Sequence, residues 1–285
     1  GPKHPRGDLE AVEEYVTVAA VTGADAIALI GNRMPKAAKR RDYAAFFRIL
    51  SEAHLPTAYV PGPQDAPIWE YLREAANVEL VHPEMRNVHE TFTFWRGPYL
   101  VAGVGGEIAD EGEPEEHEAL RYPAWVAEYR LKALWELKDY PKIFLFHTMP
   151  YHKGLNEQGS HEVAHLIKTH NPLLVLVAGK GQKHEMLGAS WVVVPGDLSE
   201  GEYSLLDLRA RKLETGNVRQ GKPRPGLPWG GVFKNLLGKM ERQAQLAGGE
   251  HGQGNPHPRP QPGSGPRVPG HHPVRDLRRH GLGHS

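Results

Sequence analysis

The chain has no cysteine among its 285 residues, which excludes disulfides and thiolate metal sites and fits a reducing cytoplasm. It has no apolar run near the roughly 18–20 residues that a membrane-spanning helix needs, so no membrane partner is expected. It has no internal repeat, which sets aside solenoids and propellers. It also has no formal net charge, but the balance is uneven. From Arg219 onward eleven Lys and Arg face three acids, leaving the part before it acidic by about eight. An acidic body argues against a general nucleic-acid-binding domain, and only the basic end would draw a nucleic acid.

What is present is a series of short apolar runs that end in glycine or a polar group. Leu173–Ala178 runs into Gly179-Lys180-Gly181-Gln182, and Trp191–Val194 into Gly196-Asp197. Ala26–Ile30 ends in Gly31-Asn32, Thr57–Val60 leads to Gly62-Pro63-Gln64-Asp65, and Ile143–Phe146 ends in His147-Thr148. Short β-branched runs read as buried strands, and glycine after a strand lets backbone approach closely. Five such ends predict one site at the carboxyl edges of layered sheets.

Helices are expected over Asp8–Val21 with Asp8 as N-cap, from Asp42 to His54, over Pro67–Ala75, Pro123–Leu137 and Ser160–His170. Val78–Val81, Thr91–Trp95 and Tyr99–Val104 read as antiparallel strands, because no helix-length segment separates them. Tyr203–Leu208 reads as the last strand, and Glu107–Glu118 as an acidic surface loop or lid. A β-rich middle inside an alternating chain predicts an α/β fold of two packed mixed sheets flanked by helices. Residues 1–217 make up that domain. Residues 218–285 are rich in Gly, Pro, His and Arg and are expected to form a disordered basic tail, with one amphipathic helix over Val232–Leu246.

In order and spacing these strand ends resemble the calcineurin-like metallophosphoesterase family, with its Asp-x-His, Gly-Asp, Gly-Asn-His-Asp/Glu, lone His and Gly-His-x-His motifs. The resemblance spans about Lys3 to Arg211 and implies a four-layer αββα fold with two metals held between the sheets for phosphoester hydrolysis. It also implies a strand before the first motif, where this sequence has only Gly1-Pro2. The chain is therefore expected to lack that strand, as a fragment or a product with a disturbed start, and to be marginally stable alone.

The ligand residues depart from the motifs. His4 and Arg6 stand for the first Asp and His, Asn32 for the bridging Asp, Pro63 and Gln64 for Asn-His, and Lys180 and Gln182 for the last two His. His147 matches the lone His, and Asp65 the acid of the third motif. Neutral amides are weak ligands for transition metals, and Lys or Arg would repel them. No tightly bound cofactor is expected, and at most one weak divalent metal (Mn²⁺, Ca²⁺ or Mg²⁺) on His147 and Asp65. Asn32, Gln64, Asp65, His147, Lys180 and Gln182 are expected to line an anion cleft for a phosphate-bearing small molecule or nucleotide, with Arg6 and backbone N–H groups helping. Each residue also has a plainer role open to it. Asp65 would cap a helix, Asn32 make a turn, His147 pack in the core, and Lys180 and Lys183 be loop charges. His161, His165, His170 and His184 read as solvated or packed. The alternative function is a working phosphoesterase with a reduced metal site.

Overall fold

Strands that are buried along their whole length must be covered on both faces, and four of the five apolar runs meet that condition, at 57–60, 142–146, 174–177 and 190–194, whereas the expected buried strand at 27–30 is half-buried. A computed structural model describes residues 5–32, 40–95 and 98–220, apart from the side chains of residues 5–8, 10, 11 and 40. The first half alternates helix and strand: α1 (Pro5–Thr22), β1 (Ile27–Ile30), α2 (Arg40–Ser51), β2 (Thr57–Val60), α3 (Ile68–Val81) and β3 (Met85–Asn87). Then come β4 (Thr91–Phe94), β5 (Leu100–Val104), β6 (Glu107–Ala109), β7 (Arg121–Pro123) and α4 (Ala124–Leu131), which continues into a 3₁₀ turn over Lys132–Trp135. The rest is β8 (Lys142–Phe146), α5 (His161–His170), β9 (Leu174–Val177), β10 (Lys183–Leu187), β11 (Ser190–Val194), β12 (Glu202–Asp207) and β13 (Lys212–Asn217).

These strands form a parallel sheet β1-β2-β3, a mixed six-stranded sheet β10-β11-β9-β8-β5-β4, and two small pairs, β6-β7 and β12-β13. Side-chain alternation separates the layers. Ala58 and Val60 of the first sheet share a buried layer with Val101, Ile143, Leu145, Leu174, Leu176, Trp191 and Val193 of the second. The intervening Tyr59, Ala102, Phe144, Val175 and Val192 pack with helix side chains instead. Phe47 of α2 lies 5.1 Å from Tyr59 between ring centres, and His170 of α5 lies 5.6 Å from Phe144. The order of layers is helices, sheet, sheet, helices, as expected from the sequence. Each fully buried Val, Leu, Ile or Phe contributes about 1.5–3 kcal/mol.

Several elements differ from expectation, each for a local reason. Val78–Val81 is the end of α3, not a strand: Tyr71, Ala75 and Val78 recur at helical spacing toward the core, while Leu80 and Val81 are exposed. Helix α1 starts at Pro5, so Asp8 lies inside its first turn and is not its cap. The acidic stretch is partly ordered, because β6 and β7 pair and Arg121 contacts Glu107 at 3.2 Å. Strand β10 carries KHEML, with His184 and Met186 exposed on one face, and pairs antiparallel with β11 through a turn in which Gly188 has φ +65. β4 and β5 do pair antiparallel. Among the described residues no helix is long and apolar enough to cross a membrane. The tail from residue 221 and the Val232–Leu246 helix lie outside the described residues.

One buried polar pair fixes the segment after β5. The Nδ1 atom of His89 accepts a hydrogen bond from the Gly105 N–H at 3.0 Å, so in the neutral ring Nε2 carries the proton and donates to the Tyr122 hydroxyl at 3.2 Å. Burial, and secondly the Arg130 charge, lower the His89 pKa from 6.5 to about 3. The imidazole gains a proton below about pH 6.5 in the unfolded chain but not in the folded one. Its contribution to stability is therefore complete above that pH and is lost as pH falls toward 3, by up to about 1.4 kcal/mol per pH unit. Urea unfolding of wild type and His89→Gln between pH 7.5 and 4 should show a less stable variant with a shallower acid decline. Parallel declines would contradict this role.

Candidate functional site

The carboxyl ends of both sheets meet at one rim. β1 and β2 run parallel, as do β5, β8, β9 and β11, so within each sheet these strands finish on the same side. Across the sheets, the Gly106 N–H donates to the Pro61 carbonyl at 2.9 Å, joining the ends of β5 and β2. A Cβ on Gly31, just past β1, would lie 2.8 Å from the His147 ring just past β8 and 3.7 Å from Ala178 just past β9. Gly31 also has φ +90, so both its backbone and its surroundings require glycine.

The rim holds some of the expected residues together. Asn32 is exposed, and its Oδ1 accepts from the Gln64 N–H at 2.7 Å. Its backbone N and Oδ1 each lie 2.3 Å from where a Cβ on Gly62 would sit. Asn32 thus ties β1 to the loop after β2, and Gln64 presents an exposed side chain beside it. His147 is half-buried against Gly31. Lys180 is exposed two residues beyond Ala178 and makes no hydrogen bond or ion pair among the described residues.

Other expected residues are turned to structural work. Asp65 is fully buried: one carboxylate oxygen accepts from the Gly62 N–H at 2.8 Å and the other from the Tyr43 hydroxyl at 3.3 Å. It holds the turn and does not cap α3, whose N-cap is Pro67. The Gln182 amide donates to the Gly216 carbonyl at 3.0 Å and to that of Tyr203, so it faces the β12-β13 hairpin. Lys183 donates to the Leu155 carbonyl. His161 stacks on Tyr151, His165 contacts Thr169, His170 packs on Trp135 and Phe144, and His184 accepts from Trp191. The backbone donors expected to help bind an anion are largely used internally: those of Gly31, Gly62, Gln64, Gly105 and Gly106 all have protein acceptors. His4 and the Arg6 side chain lie outside the described residues.

Two sheets whose parallel strands end at a histidine and a glycine-lined loop form the frame that the strand-end motifs implied. The family model for metallophosphoesterases of the calcineurin superfamily matches residues 3–218. The chain belongs to this superfamily. It is similar to the crystal structure of TT1561 from Thermus thermophilus, with 96% identity, 75% of this chain and 95% of that chain covered, and a TM-score of 0.74. A second solved structure is 30% identical over 73% of this chain and 93% of its own, with a TM-score of 0.66. No curated protein matches the chain.

Metallophosphoesterases ordinarily bind divalent metals, and the donors among the described residues of this rim do not fit two of them. A two-metal site needs a bridging carboxylate and several imidazoles. Here the amide of Asn32 is committed to Gln64, the oxygens of Asp65 are committed to the Gly62 N–H and the Tyr43 hydroxyl, Gln182 faces a hairpin, and Lys180 brings positive charge. His147 is the one rim imidazole among the described residues that the motifs identify. The described residues contain one group of three or more close metal donors, and it lies elsewhere: His54, His82 and Glu84. Sequence reading missed this group, for which the His-Pro-Glu run at 82–84 was the available sign. It also missed Tyr43 and His89, which had no motif to mark them.

Gly62 tests the geometry of the rim. A methyl group there would strike Asn32 backbone, which cannot swing away as a side-chain tip can. Gly62→Ala should cost about 1–3 kcal/mol or more of unfolding free energy, read from the urea midpoint at constant m. A loss below about 0.5 kcal/mol would show that the two loops are not packed in this way.

Proposed function

We infer that this superfamily member binds a phosphate-bearing small molecule, such as a nucleotide, at its rim and hydrolyses phosphoesters weakly or not at all. The observation that carries the reading is the Asn32 bond to the Gln64 N–H: a neutral amide, already engaged with the protein, occupies the strand end where the family's motif supplies the metal-bridging carboxylate. Without that carboxylate, attacking and leaving oxygens have no paired cations to stabilise them. Lys180 supports the anion-binding half of the reading, as an exposed cation with no protein partner among the described residues. In the turn that carries it, Gly179–Gly181, the backbone N–H groups have no acceptor among the described residues, and Gly181 has φ +73. Successive free N–H groups beside a lysine suit a phosphate oxygen. The domain boundary near residue 217 and the separate basic tail belong to the same proposal.

Calorimetric titration of the full chain with AMP, and with inorganic phosphate, tests this. Lys180→Ala should weaken binding about tenfold, the equivalent of one charged contact of about 1.4 kcal/mol, with little change in thermal midpoint. Hydrolysis of a generic phosphodiester with Mn²⁺ added should stay well below the roughly 1 s⁻¹ of an ordinary enzyme. Unchanged affinity in Lys180→Ala, or turnover at that ordinary rate, would overturn the reading, and the second result would favour a working phosphoesterase with a reduced metal site.

A further inference from the structure

The amino ends of β2 and β3 lie opposite the rim, and there two connections bring three metal-donor side chains together. His54 closes the segment after α2: its N–H donates to the Ser51 carbonyl at 3.1 Å and its backbone is left-handed, with φ 49. His82 caps α3, its N–H donating to the Val78 carbonyl at 2.7 Å. Glu84 precedes β3, and its carbonyl accepts from the Thr57 N–H of β2 at 2.9 Å. Both connections are therefore fixed to the same strand. The donor atoms of His54, His82 and Glu84 all lie within 4.8 Å of one another.

Both contacts to Glu84 are at ion-pair spacing and longer than hydrogen bonds. Glu84 Oε1 is 3.4 Å from His82 Nδ1 and 3.9 Å from His54 Nδ1. Both exceed the usual 2.7–3.2 Å range of an N–H···O hydrogen bond. Zinc bonds of about 2.0–2.2 Å in a tetrahedron place neighbouring ligand atoms about 3.3–3.6 Å apart, which the His82–Glu84 spacing of 3.4 Å matches and the 3.9 Å to His54 exceeds. His82 and Glu84 are half-buried on a fixed backbone, while the His54 side chain is 77% exposed and free to turn the remaining distance.

We propose that His54, His82 and Glu84 form a Zn²⁺ site at the amino end of β2, with solvent as the fourth ligand. Two imidazoles and one carboxylate select zinc over the oxygen-preferring Mg²⁺ and Ca²⁺. The metal joins the α2-β2 and α3-β3 connections, and because the unfolded chain lacks the site, saturating zinc stabilises the fold. This inference does not rest on the rim reading.

The test is Zn²⁺ titration of chelator-treated full-length protein by calorimetry, with the visible spectrum of the Co²⁺ form as a second readout. The sequence carries other histidines after residue 220, so the quantity read is the difference from a His54→Asn/His82→Gln double variant. Asn is used at position 54 because it tolerates left-handed backbone. Wild type should bind one more equivalent than the double variant, Glu84→Gln should bind that equivalent at least tenfold more weakly, and wild type, unlike the double variant, should show tetrahedral Co²⁺ bands. Lys180→Ala should retain the site, which separates this result from the rim. Equal stoichiometry and equal Co²⁺ spectra in wild type and double variant would overturn the proposal.

Discussion

At the carboxyl ends of their strands the two sheets approach so closely that one added methyl group at Gly31 or Gly105 would overlap the His147 ring or the Pro61 carbonyl, and within the first sheet one at Gly62 would overlap Asn32. The rest of the rim follows from this contact. Because glycine holds it open to backbone, the loop after β2 can lie against Asn32, and Gly106 can donate to Pro61. Buried polar groups then secure each loop from behind, Asp65 with Tyr43 on one side and His89 with Tyr122 on the other. A buried group left unsatisfied would cost about 1–3 kcal/mol, so these pairs specify the loop positions as well as stabilise them.

The frame of a metallophosphoesterase is therefore built by residues other than its metal ligands. Glycines, a buried carboxylate and a neutral imidazole shape the rim, and all of them are present. On the reading proposed above, Asn32, Gln64, Lys180 and Gln182 stand where the family's motifs have metal ligands; Asn32 accepts from the Gln64 N–H and Gln182 donates to backbone carbonyls. Superfamily membership alone therefore does not establish hydrolysis here.

Much of the fold was legible in the sequence. Thr57–Val60 and the runs before His147, Gly179 and Gly196 are buried strands, because continuous β-branched and apolar residues suit a strand covered on both faces. Val78–Val81 misled because four apolar residues fit a strand or a helix turn equally, and only the phase set by Tyr71 and Ala75 separates them. β10 was hidden because one face meets solvent, so KHEML has no apolar run to read. At the rim, the positions of Asn32, Gln64, His147 and Lys180 followed from their strand ends. The inward turn of Asp65 and the sideways reach of Gln182 did not, since side-chain direction depends on Tyr43 and on the β12-β13 hairpin, both distant in sequence.

The central claim is that this rim keeps the family's frame but not its two-metal centre. Anomalous diffraction from crystals of the full chain grown with Mn²⁺ tests it most directly. No pair of anomalous peaks is expected between Asn32 and His147. Two peaks there, about 3.5–4 Å apart, would contradict the claim.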